Sequence, residues 1–424
     1  MYLKYNLFVF SVFSVSAVVT SADPPASRPA AASIYRCTLQ TAGGELPFIM
    51  ELSANANEPE GWIVNGSERI ELPKIMRIRE QSRVAFLFPH YDAMIEAAFD
   101  RAADTMSGAW SKRSGTDQST QMPFAAEHYQ GFRFKPNAKL TEEVVQVAPA
   151  AGRWSVKFAG DKEPCVGIFK NGHGNEIEGT FLTTTGDYRF LAGSYEFGLL
   201  RLSCFDGSHA FLFHATMQPD GTLKGDFWSG PKFHDTWTAK RDDKAALPDA
   251  FTLTKVNPKA KVKDLKFRDL DGKEQSLGAP GLLGKATLIE IFGSWCPNCH
   301  DAADLLVALE KKHGPNGLKI VGLAFEASGD TEAGARQVKR YLARHNAQYP
   351  VLLAGTKDRE KASAALPVID SLKGYPTFLF VDGAGDIRSI YTGFSGPATG
   401  EDYKTLCRQF DQTVTNLLAV SPNP

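Results

Sequence analysis

The chain has 424 residues, 43% hydrophobic and 22% charged, an ordinary globular composition with room for more than one domain. Its 47 basic and 48 acidic side chains leave a formal net charge of -1. No basic surplus points to nucleic acid, and no acidic block points to a disordered tail.

At the N-terminus Lys4 precedes an apolar run from Leu7 to Val19, followed by Thr20-Ser21-Ala22. The core is too brief for a stable membrane span, and small residues occupy the minus-three and minus-one sites. This predicts an export signal over 1–22, cleaved after Ala22. An uncleaved anchor is the competing reading. No cysteine sits at the cleavage site, so a bacterial lipoprotein is not expected, and no other stretch is a candidate span. Residues 23–33, rich in Pro and Ala, read as a flexible lead-in.

Residues 34–241 show short alternating strands separated by turn signals, with Asp206-Gly207 and Asp220-Gly221 as hairpin turns. The region repeats itself. Glu45-Leu-Pro47-Phe48 sets beside Glu163-Pro164-Cys165 at an offset of 117, apart from one position, and Glu60-Gly61-Trp62 beside Glu178-Gly179-Thr180 at 118. Val84, Phe86, Ile95, Ala97 and Phe99 match Leu202, Cys204, Phe213, Ala215 and Met217, and Gly108 matches Gly225. Two copies are too few for a solenoid. They predict an all-β antiparallel barrel or sandwich, two meanders closing on each other so that no edge is left exposed. His209 and His214, five apart, fall on opposite strand faces and make no metal pair.

Residues 242–261, charged and holding Pro248 and Pro258, read as a connection. From 262 to 424 strands alternate with helices. The hairpin at Asp271-Gly272 leads to a buried strand, Ala286 to Phe292, and then to a helix from Asp301 to Lys312. A second buried strand runs from Leu318 to Phe325, and a helix from Thr331 to His345. A hairpin, Thr377 to Tyr391, and a last helix, Glu401 to Leu418, close the chain.

Between the first of these strands and its helix stands Trp295-Cys296-Pro297-Asn298-Cys299. Cys-x-x-Cys there puts the first sulfur at a helix N-terminus, where unpaired N–H groups and the dipole stabilise the attacking thiolate. Cys-x-x-Cys-His is also the c-type haem attachment signature, but a haem site does not call for a buried strand ahead of the cysteines. Zinc lacks two further ligands at the right spacing. His300 is expected as an exposed neighbour that assists thiol ionisation or does nothing. Glu290, six residues before Cys296, falls on the buried strand, where burial should raise its pKa and leave a proton carrier near the inner thiol. Tyr375-Pro376-Thr377 opens another strand, where a cis proline would turn the chain beside the dithiol.

These residues resemble the thioredoxin superfamily, and within it the exported TlpA/ResA-like thiol–disulfide oxidoreductases. The resemblance spans roughly Val262 to Leu418. It rests on Phe292-Gly-Ser-Trp-Cys-Pro-Asn-Cys299, Gly374-Tyr-Pro-Thr-Phe378, Val381-Asp-Gly-Ala-Gly-Asp-Ile387 and Thr392-Gly-Phe394. It implies Cys296 as the attacking thiol, Cys299 as the resolving thiol and Pro376 as a cis proline. Trp295, Pro297, Tyr375 and Pro376 would line the substrate groove. Many exported members carry an acid three residues after the second cysteine; here that position is Ala302, so the relay role falls to Glu290. The chain is therefore expected to be multidomain, a duplicated all-β unit followed by an α/β thioredoxin-like unit. It should act outside the cytoplasm on disulfide- or dithiol-containing proteins, coupled to an upstream thiol reductant or oxidant, with no cofactor and no metal.

Two rivals belong to other classes. A peroxiredoxin-like peroxidase would need an isolated peroxidatic cysteine, whereas Cys296 has a partner three residues away. A binding protein would use the β unit to hold a ligand or partner. Of the other cysteines, the repeat sets Cys37 against Trp154, Cys165 against Phe48 and Cys204 against Phe86, and Cys407 lies on the inward stripe of the last helix. None is expected in catalysis; a structural Cys165–Cys204 disulfide stays open.

Overall fold

A computed structural model describes residues 33–53, 59–78, 82–113, 119–136 and 148–420. The expected export signal (1–22) and all of the lead-in but its last residue lie outside the described residues. The first sheet holds nine strands: β1 Ser33–Thr41, β2 Gly44–Leu52, β3 Gly61–Asn65, β4 Glu68–Glu71, β5 Lys74–Ile78, β6 Arg83–Phe88, β7 Ala93–Asp100, β8 Thr105–Arg113 and β9 Ser119–His128. β1 pairs with β9, and the sheet stays open between β4 and β5. Alternation builds its inner face, with Val84, Phe86 and Phe88 of β6 beside Ile95 and Ala97 of β7.

The second sheet closes. β10 Gly152–Phe158, β11 Cys165–Asn171, β12 Glu176–Thr183, β13 Leu191–Glu196, β14 Leu199–Phe205, β15 Ala210–Met217, β16 Leu223–Ser229 and β17 Phe233–Arg241 follow one another round a barrel, β17 pairing back on β10. Aromatic rings fill the interior: Phe181 and Phe213 are 4.6 Å apart, Phe213 and Phe227 4.3 Å, beneath Trp154 and Trp237. The all-β antiparallel region is as the alternation predicts, but the two copies do not share one barrel. They meet through the barrel's outer face. Phe205 of β14 with Ala210 and Leu212 of β15 complete the core of the first sheet, Phe205 lying 4.6 Å from Phe48 and 5.8 Å from Trp110.

The repeat is visible in the strand registers. Ala97 pairs with Gly108 and Ala215 with Gly225, and a Cβ on either glycine would meet the neighbouring strand's carbonyl at 2.0 and 1.9 Å. The same registers move two cysteine equivalences. Cys37 pairs with Phe48 and Val156 with Cys165, so once Phe48 is matched to Cys165, Cys37 falls on Val156, not Trp154. Likewise Val84–Ala97 matches Leu200–Ala215, which sets Cys204 against Phe88, not Phe86. Hairpins of different length slip the copies by two residues, and a slip of two keeps each side chain on its inward face. All six cysteines are free thiols, Cys165 and Cys204 included.

Residues 242–261 carry no strand or helix and dock on the unit that follows: Thr392 N donates to Ala250 O (3.1 Å) and Asp370 N to Lys255 O (2.9 Å). The last sheet has seven strands, β18 Lys266–Asp269, β19 Glu274–Ser276, β20 Ala286–Phe292, β21 Leu318–Glu326, β22 Val351–Thr356, β23 Thr377–Asp382 and β24 Ile387–Thr392. Their order is β19-β18-β22-β21-β20-β23-β24, with helices α1 Pro297–His313, α2 Thr331–Arg344, α3 Arg359–Ala365 and α4 Glu401–Val420. All seven residues of β20 are buried, as a central strand covered on both faces requires. This is the expected thioredoxin-like α/β arrangement. Among the described residues no helix is long and apolar enough to cross a membrane.

Candidate active site

β20 delivers the chain to the centre of the sheet's C-terminal edge, and Gly293-Ser294-Trp295 turns it into α1. Cys296 is the N-cap residue, in an extended conformation, and Pro297 takes the first helical position, where its missing N–H is not needed. Cys296 O accepts from Cys299 N (3.0 Å) and His300 N (3.2 Å), which starts the helix directly over the dithiol. Cys296 is 7% exposed and its thiol lies 3.8 Å from Tyr375 O; Cys299 is fully buried. The Tyr375–Pro376 peptide is cis. Trp295 is fixed by its indole N–H on Phe325 O (2.8 Å) and stands edge-on to Tyr375 at 5.5 Å.

Glu290 is fully buried on β20, and neither of its oxygens has a hydrogen-bond partner among the described residues. An ionised carboxylate so placed would cost several kcal/mol, so burial, reinforced by Cys296, pushes its pKa well up. Burial also raises Cys299, and its interactions with Cys296 and Glu290 add to the effect. The three groups that the sequence singled out as reactive therefore share one electrostatic pocket.

His300 corrects an expectation. It is buried, not exposed: its ring nitrogens face His345 Nε2 at 2.7 Å and Ser294 O at 2.9 Å, and it packs against His90 and Tyr91 at 5.5 and 5.2 Å. Burial, then the neighbouring histidines, push its pKa well below the ordinary value, so it supplies no cation to the thiols. The rings that bury it, His90 and Tyr91, lie 210 and 209 positions earlier in the chain and leave no trace beside the motif.

Several groups at the site were not foreseen. Glu326, at the end of β21, accepts from Ser294 N (3.0 Å) and Ser294 Oγ (2.6 Å) and so anchors the turn before the dithiol. The β unit also reaches the site, through the loop between β12 and β13. A Cβ on Gly374 would lie 2.6 Å from Thr185 Cγ2, and one on Gly393 would lie 2.5 Å from Thr184 O. Asp187 O faces Asn298 Nδ2 at 3.5 Å. Three walls of the dithiol site, at 298, 374 and 393, thus touch this loop. It is anchored by buried Arg189, which donates to Asp301 Oδ2, to Glu68 Oε1 (2.8 Å) and to Pro297 O (3.4 Å), with Asp206 3.9 Å away. One guanidinium joins the first sheet, the barrel and α1.

Electrostatics around Arg189 are uneven. Burial lifts Glu68 to about 7 against the pull of Arg189, and burial with the charge of Asp301 lifts Asp187 to about 6. Asp206 goes the other way: burial is outweighed by His209 and Arg189, which hold it below the usual carboxylate range. Among the described residues no group of three or more His, Cys, Asp or Glu side chains is arranged to hold a metal ion.

The remaining thiols sit in the cores. Burial raises Cys37 and Cys204 far above the ordinary thiol value and Cys165 to about 12; Cys407, half-buried on α4, is raised as well. Alkylation of the reduced native protein is expected to mark Cys296 first and Cys407 slowly. Cys37, Cys165 and Cys204 should react only on unfolding. Mass-spectrometric mapping over time checks the order, and fast labelling of any of those three would contradict it.

Comparison with known families adds one match: the Redoxin family model fits residues 256–406. Among solved structures, a thioredoxin-family thiol:disulfide interchange protein of Chlorobium tepidum is 24% identical, covering 38% of this chain and 97% of that one, with a TM-score of 0.28. A secreted Mycobacterium tuberculosis disulfide oxidoreductase is 17% identical (36% and 96% covered, TM-score 0.26), and a Bacteroides fragilis thiol-disulfide oxidoreductase is 17% identical (35% and 99%, 0.26). The family match falls on the C-terminal α/β unit that carries the dithiol.

Proposed function

We propose that this protein is an extracytoplasmic thiol–disulfide oxidoreductase that reduces protein disulfides through Cys296-Pro297-Asn298-Cys299, with residues 262–424 as the catalytic unit. The observation that carries the reading is the dithiol at the start of α1, beside a buried carboxylate with no partner among the described residues, Glu290. The redoxin match supports the chemistry, and the apolar segment ahead of Ala22 supports export.

Cys296 thiolate attacks one sulfur of a substrate disulfide. The substrate S–S bond breaks, a mixed disulfide forms on Cys296, and the departing sulfur takes a proton from solvent. The ionised fraction of Glu290, small because burial raises its pKa but strongly basic for the same reason, accepts the Cys299 proton, and the Cys299 thiolate attacks Cys296 Sγ. The second substrate sulfur leaves as a thiolate. The dithiol is now a disulfide, and two electrons from an upstream thiol reductant restore it. Trp295, Pro297, Tyr375 and Pro376 shape the groove in which the attack occurs. The reverse sequence would oxidise a substrate dithiol.

Glu290→Gln should keep the fold and slow insulin reduction roughly tenfold or more at neutral pH. The deficit should shrink as pH rises and Cys299 ionises unaided. Superimposable pH–rate profiles for the two proteins would remove Glu290 from the relay, and absence of insulin reduction by the unaltered protein would remove the proposed function.

A further inference from the structure

The loop from Thr184 to Asp187 closes the dithiol site along 298, 374 and 393. The opposite side of Trp295 is open. There a cleft of about 440 Å³ runs between the first sheet and α2, with Ser294 and Trp295, the two residues before Cys296, in its wall. Five cations line it: Lys112, Arg113, Arg336, Arg340 and Lys357.

Acids compensate only part of this charge. Asp92 is spoken for by Arg113 at 3.9 Å, Asp330 caps α2 through Ala333 N, and Glu326 is buried on Ser294, with burial raising its pKa. Arg336 is paired with Glu332 at 3.7 Å. Lys112, Arg340 and Lys357 have no carboxylate within ion-pair distance among the described residues. Lys112 instead donates to Ser208 Oγ (2.7 Å), Arg340 to Pro89 O (3.1 Å), and the Lys357 ammonium stands 5.6 Å over the Trp295 ring. Lys112 is largely buried, burial holds its pKa down, and its strongest charge partner is Asp206, so the uncompensated charge of the cleft rests on Arg340 and Lys357.

We propose that this cleft is the substrate entrance and that it selects disulfides carried on acidic polypeptide, with Lys357 and Arg340 setting the preference. Concave walls of low dielectric concentrate the field of uncompensated cations, so an anionic segment is drawn toward Trp295 while its disulfide meets Cys296. The proposal rests on the dithiol acting as a disulfide reductant.

The test uses the full-length protein, a small uncharged disulfide (2-hydroxyethyl disulfide) and two disulfide-linked peptides alike except for flanking Glu or flanking Lys. At low ionic strength kcat/KM for the acidic peptide should exceed that for the basic one by about tenfold or more, and the ratio should fall as salt is raised. Lys357→Glu, at an exposed position, should lower the ratio several-fold, and Lys357→Gln should lower it less. Turnover of the uncharged disulfide with equal kcat/KM for the two peptides would overturn the entrance while leaving the reductase reading in place. A preference that both Lys357 variants retain in full would overturn the assignment of Lys357. Failure to turn over any of the three disulfides would overturn the reductase reading and the entrance with it.

Discussion

Cys296→Ser is expected to lower disulfide reduction by about three orders of magnitude or more, because the only other thiol of that helix turn, Cys299, is fully buried and cannot replace it. Cys299→Ser should fail differently. Attack survives and resolution does not, so the variant should accumulate a mixed disulfide on Cys296 that a reductant releases. Non-reducing electrophoresis and mass spectrometry distinguish the two. An active Cys296→Ser protein, together with no trapped adduct from Cys299→Ser, would show that the roles are misassigned.

Arg189→Met should destabilise the protein by about 3–5 kcal/mol, since it leaves buried carboxylates without their shared cation. Its pH dependence has a defined sign. Glu68 and Asp187 have folded-state values raised to about 7 and about 6, so the folded protein holds those protons more tightly than the unfolded chain. Their contribution is complete below the unfolded carboxylate range and is lost as pH rises through those values. Removing the cation penalises the ionised forms further, so the deficit should be larger at pH 8 than at pH 5. The freed loop should also let alkylating reagent reach Cys296 faster. Denaturant titrations at both pH values check the first point, and a deficit that is small or grows toward acid would contradict it.

How much of this was legible in advance divides along sequence distance. The dithiol, its flanking strand and helix, Glu290 and Pro376 are all signalled within a few residues of themselves, by hydrophobic period, by a motif or by a proline at a strand start. The duplication was legible too, since inward alternation survives between copies. What failed needed partners far apart in the chain. Phe205, Ala210 and Leu212 are buried on the face opposite to the barrel interior, which erases the alternation that would have separated two sheets from one. Arg189 looks like any turn arginine; Asp301 and Glu68, its partners, are 112 and 121 positions away. His300 was misjudged because helix periodicity says which way a side chain points but not what another unit lays over it.

The division of the first sheet's edge into β4 and β5 decides how the two copies depend on each other. The barrel fills the corresponding place with one continuous strand, β13, paired on both sides. In the first copy that seam is open, and the barrel's Phe205 sits among Phe48, Phe88 and Trp110. A duplication of this sort ceases to be two modules. One twin is the stopper of the other: without the barrel's Phe205, the open sheet would leave Phe48, Phe88 and Trp110 uncovered.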